Sequence, residues 1–407
     1  MRTRIINIKI LYGLRPSSCL RLCGADMGKP YSLDNAWLTL RNGTVEDYGT
    51  MDTLPVDEHC DEVVDAHGGL VMPAFCDSHT HIVYAGSREH EWEDKVRGLS
   101  YEEVAKRGGG ILNSADLLHL TSEYELYEQA MKRLHEIMDK GTGCVEIKSG
   151  YGLNTEDELK MLRVIRRIAE ASPIQVVSTF LGAHAVARNY LGRQSEYVDL
   201  VINEMLPAVA SEKLADFVDV FCDKGFFTPE ETDRMLNAAA KYGMKPKVHV
   251  DELASVGGMQ VCIKNKAVSV DHLENMSAND IPALKASDTI PTLLPGTSFF
   301  SNMPYGKGRA MIDAGLGVAM ASDYNPGSTP SGDMRFVMSL ACMKMRLLPE
   351  EALNAVTING AAAMCQSSTH GSIRRGERPG IIMTKPVPSL AFVPYAYTTP
   401  WIARTFF

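Results

Sequence analysis

The sequence contains no stretch approaching the ~20 continuous apolar residues of a membrane span. Its first ten residues, Met1 to Ile10, open with the basic residues of a secretory leader, but Asn7 and Lys9 interrupt the apolar core that export requires. A cytoplasmic protein is expected. Nor is there an excess of positive charge: 41 Lys and Arg stand against 50 Asp and Glu, a net charge of −9. An acidic surface argues against non-specific nucleic-acid binding and against attachment to anionic membranes. CxxC pairs are absent, and the nine cysteines are scattered and odd in number. That pattern fits reduced thiols and excludes a cysteine zinc cluster. No GxGxxG follows an early strand, which ranks a doubly wound dinucleotide fold low. Internal repeats and low-complexity stretches are missing too. Any metal must therefore be held by His and Asp.

What is present is an ordinary globular composition, 45% hydrophobic and 22% charged over 407 residues. The length suits one domain of roughly 250 residues and a smaller one. Residues 1–72 read as short strands and turns. Trp37–Arg41 and Thr44–Tyr48, joined by Asn42-Gly43, form the clearest hairpin signal. From Leu70 onward eight apolar runs follow: Leu70–Phe75, Gly143–Ile147, Ile174–Leu181, Phe217–Phe221, Lys247–Val250, Ala267–Val270, Thr289–Leu294 and Gly317–Ala321. Amphipathic stretches such as Glu156–Ala171, Pro229–Tyr242 and Asn279–Ala286 lie between them. Eight strands alternating with helices predict an α/β fold, a distorted (β/α)8 TIM-like barrel over residues 73–370. Residues 86–122 are an insertion containing Gly108-Gly109-Gly110. Beyond the Gly371–Gly376 turn, the tail 371–407 is expected to pair with residues 1–72 in a small composite β-sandwich-like domain.

In such barrels the reactive groups come from the carboxyl ends of the strands. Five of the eleven histidines fall there. His79 and His81 are two apart, and residues i and i+2 of a strand face the same side, so both imidazoles can reach one ion. His249 and Asp323, at two other strand ends, complete a set of three imidazoles and a carboxylate. These donors suit one divalent Zn or Fe ion per chain better than Mg or Ca, which prefer oxygen.

The same residues lie in longer motifs. Pro73-Ala-Phe-Cys-Asp-Ser-His-Thr-His81 resembles the first-strand motif of the amidohydrolase superfamily. Ala85-Gly-Ser-Arg88-Glu, Gly108-Gly-Gly-Ile-Leu, Glu146-Ile-Lys-Ser-Gly-Tyr-Gly-Leu153, Thr179-Phe-Leu-Gly-Ala-His184-Ala, Asp219-Val-Phe-Cys, His249-Val-Asp-Glu252-Leu, Val270-Asp-His272-Leu and Ser322-Asp-Tyr-Asn-Pro-Gly-Ser328 resemble the imidazolonepropionase family along nearly the whole chain. The chain departs from that pattern at Ala187-Arg188 and at Gly376-Glu-Arg-Pro-Gly380.

The resemblance implies one metal on His79, His81, His249 and Asp323. It implies substrate contacts at Arg88, Tyr151, His184, Glu252, Asn325, Gly327 and Ser328, and a catalytic histidine at His272. The implied reaction is metal-dependent hydrolysis of the cyclic amide of 4-imidazolone-5-propanoate to N-formimidoyl-L-glutamate, a step of histidine degradation. A site metal can lower the pKa of water from about 15.7 to about 7. His272, Glu252 and Asp323 are the candidates for moving protons; His272 is favoured as the base, with Glu252 orienting a ring N–H. Arg88 would clamp the propanoate through paired hydrogen bonds, with Tyr151 as a further donor. His184 would donate to the developing oxyanion. Lys148 either holds site carboxylates or is carbamylated to bridge two metals; a single metal favours the first. The expected partner is a small carboxylate-bearing substrate, with no nucleic acid or membrane, and a homodimer is left open. Two rival readings are another cyclic amidohydrolase or aminohydrolase and a non-catalytic scaffold of the same fold.

Overall fold

The computed structural model describes residues 1–55, 58–99, 103 and 107–407. Fifteen strands can be followed through them. β1 (Arg2–Leu11), β2 (Leu33–Arg41), β3 (Thr44–Thr50), β4 (Glu62–Asp65) and β5 (Gly69–Pro73) precede the barrel strands. These are β6 (Phe75–Asp77), β7 (Thr142–Lys148), β8 (Gln175–Ala183), β9 (Phe217–Cys222), β10 (Lys245–Val250), β11 (Ser269–His272), β12 (Ile290–Leu293) and β13 (Ala319–Met320). β14 (Ile381–Pro386) and β15 (Ile402–Phe406) close the chain.

β6 to β13 pair in chain order, all in parallel, as an eight-stranded sheet. Its edges meet just beyond β6 and β13. Thr80 and Tyr324 form a parallel bridge, His81 N–H donates to the Tyr324 carbonyl, and Asp323 N–H donates to the His79 carbonyl. The Asp77 carboxylate also accepts from the Ser322 amide and hydroxyl. This seam brings the carboxyl ends of the first and last barrel strands together, and with them His79, His81 and Asp323.

The helices between the strands start where the sequence offers caps. Asn154 Oδ1 accepts the Asp157 amide ahead of the helix Thr155–Ala171. Ser122 with Glu125, and Thr228 with Glu231, form reciprocal capping boxes ahead of Glu123–Asp139 and Pro229–Ala240. In Thr155–Ala171 the buried Met161, Leu162, Val164, Ile165 and Ile168 make one apolar face against the barrel. The insertion after β6 contains the helices Trp92–Val96 and Ile111–Leu120.

Strands from both chain ends form one mixed sheet of seven, in the order β15-β14-β5-β1-β2-β3 with β4 also on β1. The hairpin β2–β3 turns at Asn42 and Gly43, both at positive φ as a primed turn requires. Ile5, Ile8, Leu38, Leu40, Val71 and Ile381 build a core of its own.

The run Leu70–Phe75, expected as the first barrel strand, divides between the two sheets. Gly69–Pro73 pairs with β1 and β14, and only Phe75–Asp77 belongs to the barrel. Pro73 has no amide hydrogen to extend a ladder. The following Ala74 and Phe75 donate in different directions, to Gly380 and Gly141. Both halves are buried, so one apolar run carries no mark of the change of sheet.

Candidate active site

His79 and His81 lie on the extended segment that continues β6, His249 is the fifth residue of β10, and Asp323 follows β13. Their ligand atoms converge. His79 Nε2 and His81 Nε2 are 3.3 Å apart, and His81 Nε2 and His249 Nε2 are 3.4 Å apart. Asp323 Oδ1 stands 3.6 Å from Nε2 of both His79 and His81. A tetrahedral ion with bonds of ~2.0–2.1 Å has ligand atoms ~3.3–3.4 Å apart. The donor set therefore fits a divalent metal.

The far side of the rings supports that fit. His79 Nδ1 lies 2.7 Å from Asp271 Oδ2, and His249 Nδ1 lies 2.9 Å from Asp219 Oδ2. A carboxylate accepts, so His79 Nδ1 carries the hydrogen and its Nε2 turns a lone pair inward, and the nearby Asp219 carboxylate favours the same tautomer of His249. Two such lone pairs facing the same small space repel unless a cation lies between them. Burial, with Lys148 and the neighbouring imidazoles, pushes His79 well below its ordinary pKa and keeps it neutral, the state that binds metal.

Beneath the cluster Lys148 Nζ donates to Glu146 (2.7 Å) and Asp219 (2.8 Å), all with fully buried side chains. Burial alone would lower the Lys148 pKa, but Asp219, Glu146 and Asp271 raise it above its ordinary value. Carbamylation requires a neutral amine, so the ammonium holding carboxylates is the role this environment fits. Lys247 Nζ, equally buried, donates to the carbonyls of Ser78 and Ala363.

One pocket is lined by His81, Arg88, Tyr151, His184, His249, Glu252, His272, Asp323, Asn325, Gly327 and Ser328, with Ile111, Phe221 and Leu253 between them. Of the residues singled out in the sequence, His79 lies behind this wall in the ligand cluster and Lys148 beneath it. The loop residues reach the pocket in different ways. Asn325 Oδ1 accepts the amides of Gly327 and Ser328, while Nδ2 donates to the Asp323 carbonyl and the Ser328 hydroxyl. The Asn325 side chain, expected as a substrate contact, is thus committed to shaping its own loop. Gly327 packs so closely on Arg88 that a Cβ would sit 2.3 Å from Nη1, so a larger residue would displace the guanidinium.

The surroundings of His184 and His272 bear on the roles expected of them. His184 Nδ1 lies 3.0 Å from the Gly150 carbonyl, which can only accept, so Nδ1 bears the hydrogen. Burial lowers its pKa to about 3, so the ring is neutral and Nε2 is an acceptor. With the hydrogen on Nδ1, Nε2 has none to offer an oxyanion. His272, expected as the resting base, lies between carboxylates: Nε2 is 3.6 Å from Glu252 Oε2 and Nδ1 is 3.5 Å from Glu274 Oε2. Burial opposes its charge, but Glu252 and Glu274 raise it well above its ordinary pKa. Burial in turn pushes Glu252 up to about 8 against the opposing pull of His272, with Glu274 and Asp323 adding to the rise. The pair stores a proton.

Several site residues were not assigned from the sequence. Glu91 makes a two-pronged pair with Arg88, Oε1 to Nε at 2.9 Å and Oε2 to Nη2 at 2.7 Å, and also accepts the Gly110 amide. The glycine run 108–110 therefore serves, at its last member, to hold a carboxylate of the protein. Asp219 carries a signal, a charge inside the otherwise apolar strand β9; Lys247 and Asp271 lie in strands of mixed polarity that give none.

A family model described as "Amidohydrolase family" matches residues 70–404. An imidazolonepropionase of Christiangramia forsetii is 52% identical over 399 residues, 98% of this chain and 97% of that one. The chain belongs to the amidohydrolase family, among the imidazolonepropionases. An imidazolonepropionase of Flavobacterium johnsoniae is likewise 52% identical, over 98% of this chain and 96% of its own. One of Thermoanaerobacter pseudethanolicus is 39% identical over 97% and 93%. Solved structures share the amidohydrolase fold at much lower identity. A 5-methylcytosine deaminase from Klebsiella pneumoniae has a TM-score of 0.73 at 17% identity, covering 99% of this chain and 96% of its own. A zinc-bound adenosine deaminase from Xanthomonas campestris has a TM-score of 0.68 at 13% identity, covering 99% and 91%.

Proposed function

We propose that this chain opens 4-imidazolone-5-propanoate with water to give N-formimidoyl-L-glutamate, using one zinc or iron ion held by His79, His81, His249 and Asp323. The observation that carries the reading is the meeting, in one pocket, of that ligand cluster with the buried Arg88. A neutral nucleobase would need no such arginine, whereas a propanoate does. Identity near 50% to imidazolonepropionases over almost the full length supports the same substrate.

When bound, the metal supplies Lewis-acid activation of water and carbonyl. The residues do the rest. Arg88 holds the propanoate; Glu91 takes its Nε–Nη2 edge, so the Nη1 end is the one beside Gly327 and the pocket. Tyr151 adds a hydroxyl, and His184 Nε2 accepts a ring N–H. As water oxygen bonds to the ring carbonyl carbon, Asp323 accepts the departing proton. The Glu252–His272 pair delivers a proton to the ring nitrogen as the C–N bond breaks, a donor role that suits the proton it stores.

Nine free thiols fit a reducing cytoplasm, and no helix among the described residues is long and apolar enough to cross a membrane. We assign the barrel to residues 73–370 and the composite domain to 1–72 with 371–407, Pro73 standing at the junction as the last residue of β5.

The test is metal analysis of the purified protein with turnover of freshly generated imidazolonepropanoate, for wild type and Arg88→Met. Close to one ion per chain and formation of N-formimidoyl-L-glutamate are expected. The variant should lose roughly 1.5–3 kcal/mol of substrate binding, the worth of a charge-assisted pair. An equal loss with an analogue lacking the carboxylate would remove Arg88 from the propanoate.

A further inference from the structure

We propose that Glu158 is a positioning residue, outside the reaction pocket, that fixes the tautomer of His184 through the 150–153 loop. The inference deepens the functional reading and rests on it only for its kinetic arm. Glu158 lies in the first turn of the helix Thr155–Ala171 and is fully buried. Its carboxylate gathers three backbone amides of the preceding loop. Oε2 accepts from Gly150 (3.2 Å), and Oε1 accepts from Gly152 (2.8 Å) and Leu153 (3.0 Å). Burial raises the Glu158 pKa above the ordinary carboxylate value, and the Ser149 hydroxyl, the three backbone donors and the helix amino terminus oppose that rise.

The loop these bonds hold is otherwise unfavourable. Leu153 sits at φ 54 and Gly150 at φ 113, in the left-handed region that a branched chain avoids. The fold places the loop tightly: a Cβ on Gly152 would lie 2.3 Å from the Glu158 amide, and one on Gly150 would lie 3.0 Å from His184 Nδ1. With its amide turned to Glu158, the Gly150 residue presents its carbonyl to His184 Nδ1 at 3.0 Å. The consequence is chemical. The hydrogen stays on Nδ1, and Nε2 meets the pocket as an acceptor selecting a ligand N–H. The same loop carries Tyr151, whose ring centroid is 5.3 Å from that of His184.

Glu158→Gln separates this role from mere support. A glutamine carbonyl can still accept from Gly152 and Leu153, but its NH2 would face the Gly150 N–H, donor against donor. Gly150 should lose its anchor, its φ and ψ should change, and the carbonyl it presents in the next peptide unit should move away from His184. The experiment is 15N NMR of the histidine rings in the full-length, zinc-loaded protein without substrate. Wild type is expected to show His184 protonated on Nδ1, with slow hydrogen exchange at the amides of Gly150, Gly152 and Leu153. Glu158→Gln is expected to show a mixture of tautomers and a roughly five- to tenfold higher KM, the worth of one misplaced hydrogen bond. A wild-type ring protonated on Nε2, fast exchange at those three amides, or an unchanged tautomer in the variant would each overturn the proposal. The wild-type readings stand even where the variant fails to fold. None of the NMR readings depends on which substrate is turned over.

Discussion

At the scale of single residues, the site is organised by what lies behind each functional group. His79 turns Nε2 toward the ion position because Asp271 accepts its Nδ1 hydrogen, and His249 does the same with Asp219 2.9 Å from its Nδ1. His184 faces the pocket as an acceptor because a carbonyl stands behind it. His272 faces Glu252 and Glu274, neither of them in the ligand cluster, whereas one of the two carboxylates beside His79 is Asp323 of that cluster; His272 is therefore the imidazole suited to hold a proton. His272→Asn keeps the size and polarity but cannot deliver a proton near neutrality. It is expected to lower kcat by about 10²–10⁴-fold while metal content, read by elemental analysis, stays at the wild-type value. Near-normal turnover would leave the proton to Glu252 alone, and loss of the metal would make His272 a ligand.

At the scale of elements, the central strands carry charge where barrels of this kind normally carry branched apolar residues. β7 contributes Glu146 and Lys148, β9 Asp219, β10 Lys247 and β11 Asp271, each fully or almost fully buried. Parallel neighbours in register set these groups side by side: Lys247 pairs with Ser269 and His249 with Asp271 across β10 and β11. The strands thus hold a layer of fixed charges directly under the ligand cluster, and the layer aims the histidines. Asp219→Asn keeps the shape but weakens the acceptor behind His249. Metal affinity, measured by competition with a chelator, is expected to fall 10–100-fold, as for other groups behind metal ligands. An unchanged affinity would show that the strand geometry alone aims His249.

At the scale of the whole molecule, the two chain ends are bound into one sheet that packs beside the barrel. β14 pairs with β5, the strand that leads directly into β6. His370 stands just before the turn that starts this return. Its Nδ1 lies 2.9 Å from the Thr369 hydroxyl, and burial with nearby Arg378 lowers its pKa from 6.5 to about 4. The folded chain therefore favours the neutral ring. Between pH 6.5 and about 4 the unfolded chain binds a proton that the folded chain refuses, so the contribution of His370 is complete above 6.5 and is lost as pH falls through that window. His370→Gln, which does not titrate, should lose less stability than wild type when denaturation midpoints at pH 7 and pH 5 are compared. Parallel losses in the two proteins would show that His370 is protonated equally in both states.

The sequence by itself determined the elements and most of the pocket, because both are written locally. Apolar runs of strand length, caps such as Ser122 and Thr228, and the Asn42-Gly43 turn act over a few residues. His79 and His81 announce themselves by a spacing that one strand converts into a shared face. The tertiary structure alone decided the rest, because it depends on partners far away in the chain. Nothing near Pro73 says that Gly380 and Gly141 will draw the next two amides into different sheets. Nothing beside His272 in the chain tells of Glu252, twenty residues earlier on another strand end. Nor does Asn325 reveal that its amide will be consumed by its own loop. A residue's type states which hydrogen bonds and charges it can offer. Which of those offers is already taken, and so which tautomer or proton remains for chemistry, is fixed only when distant segments are packed together.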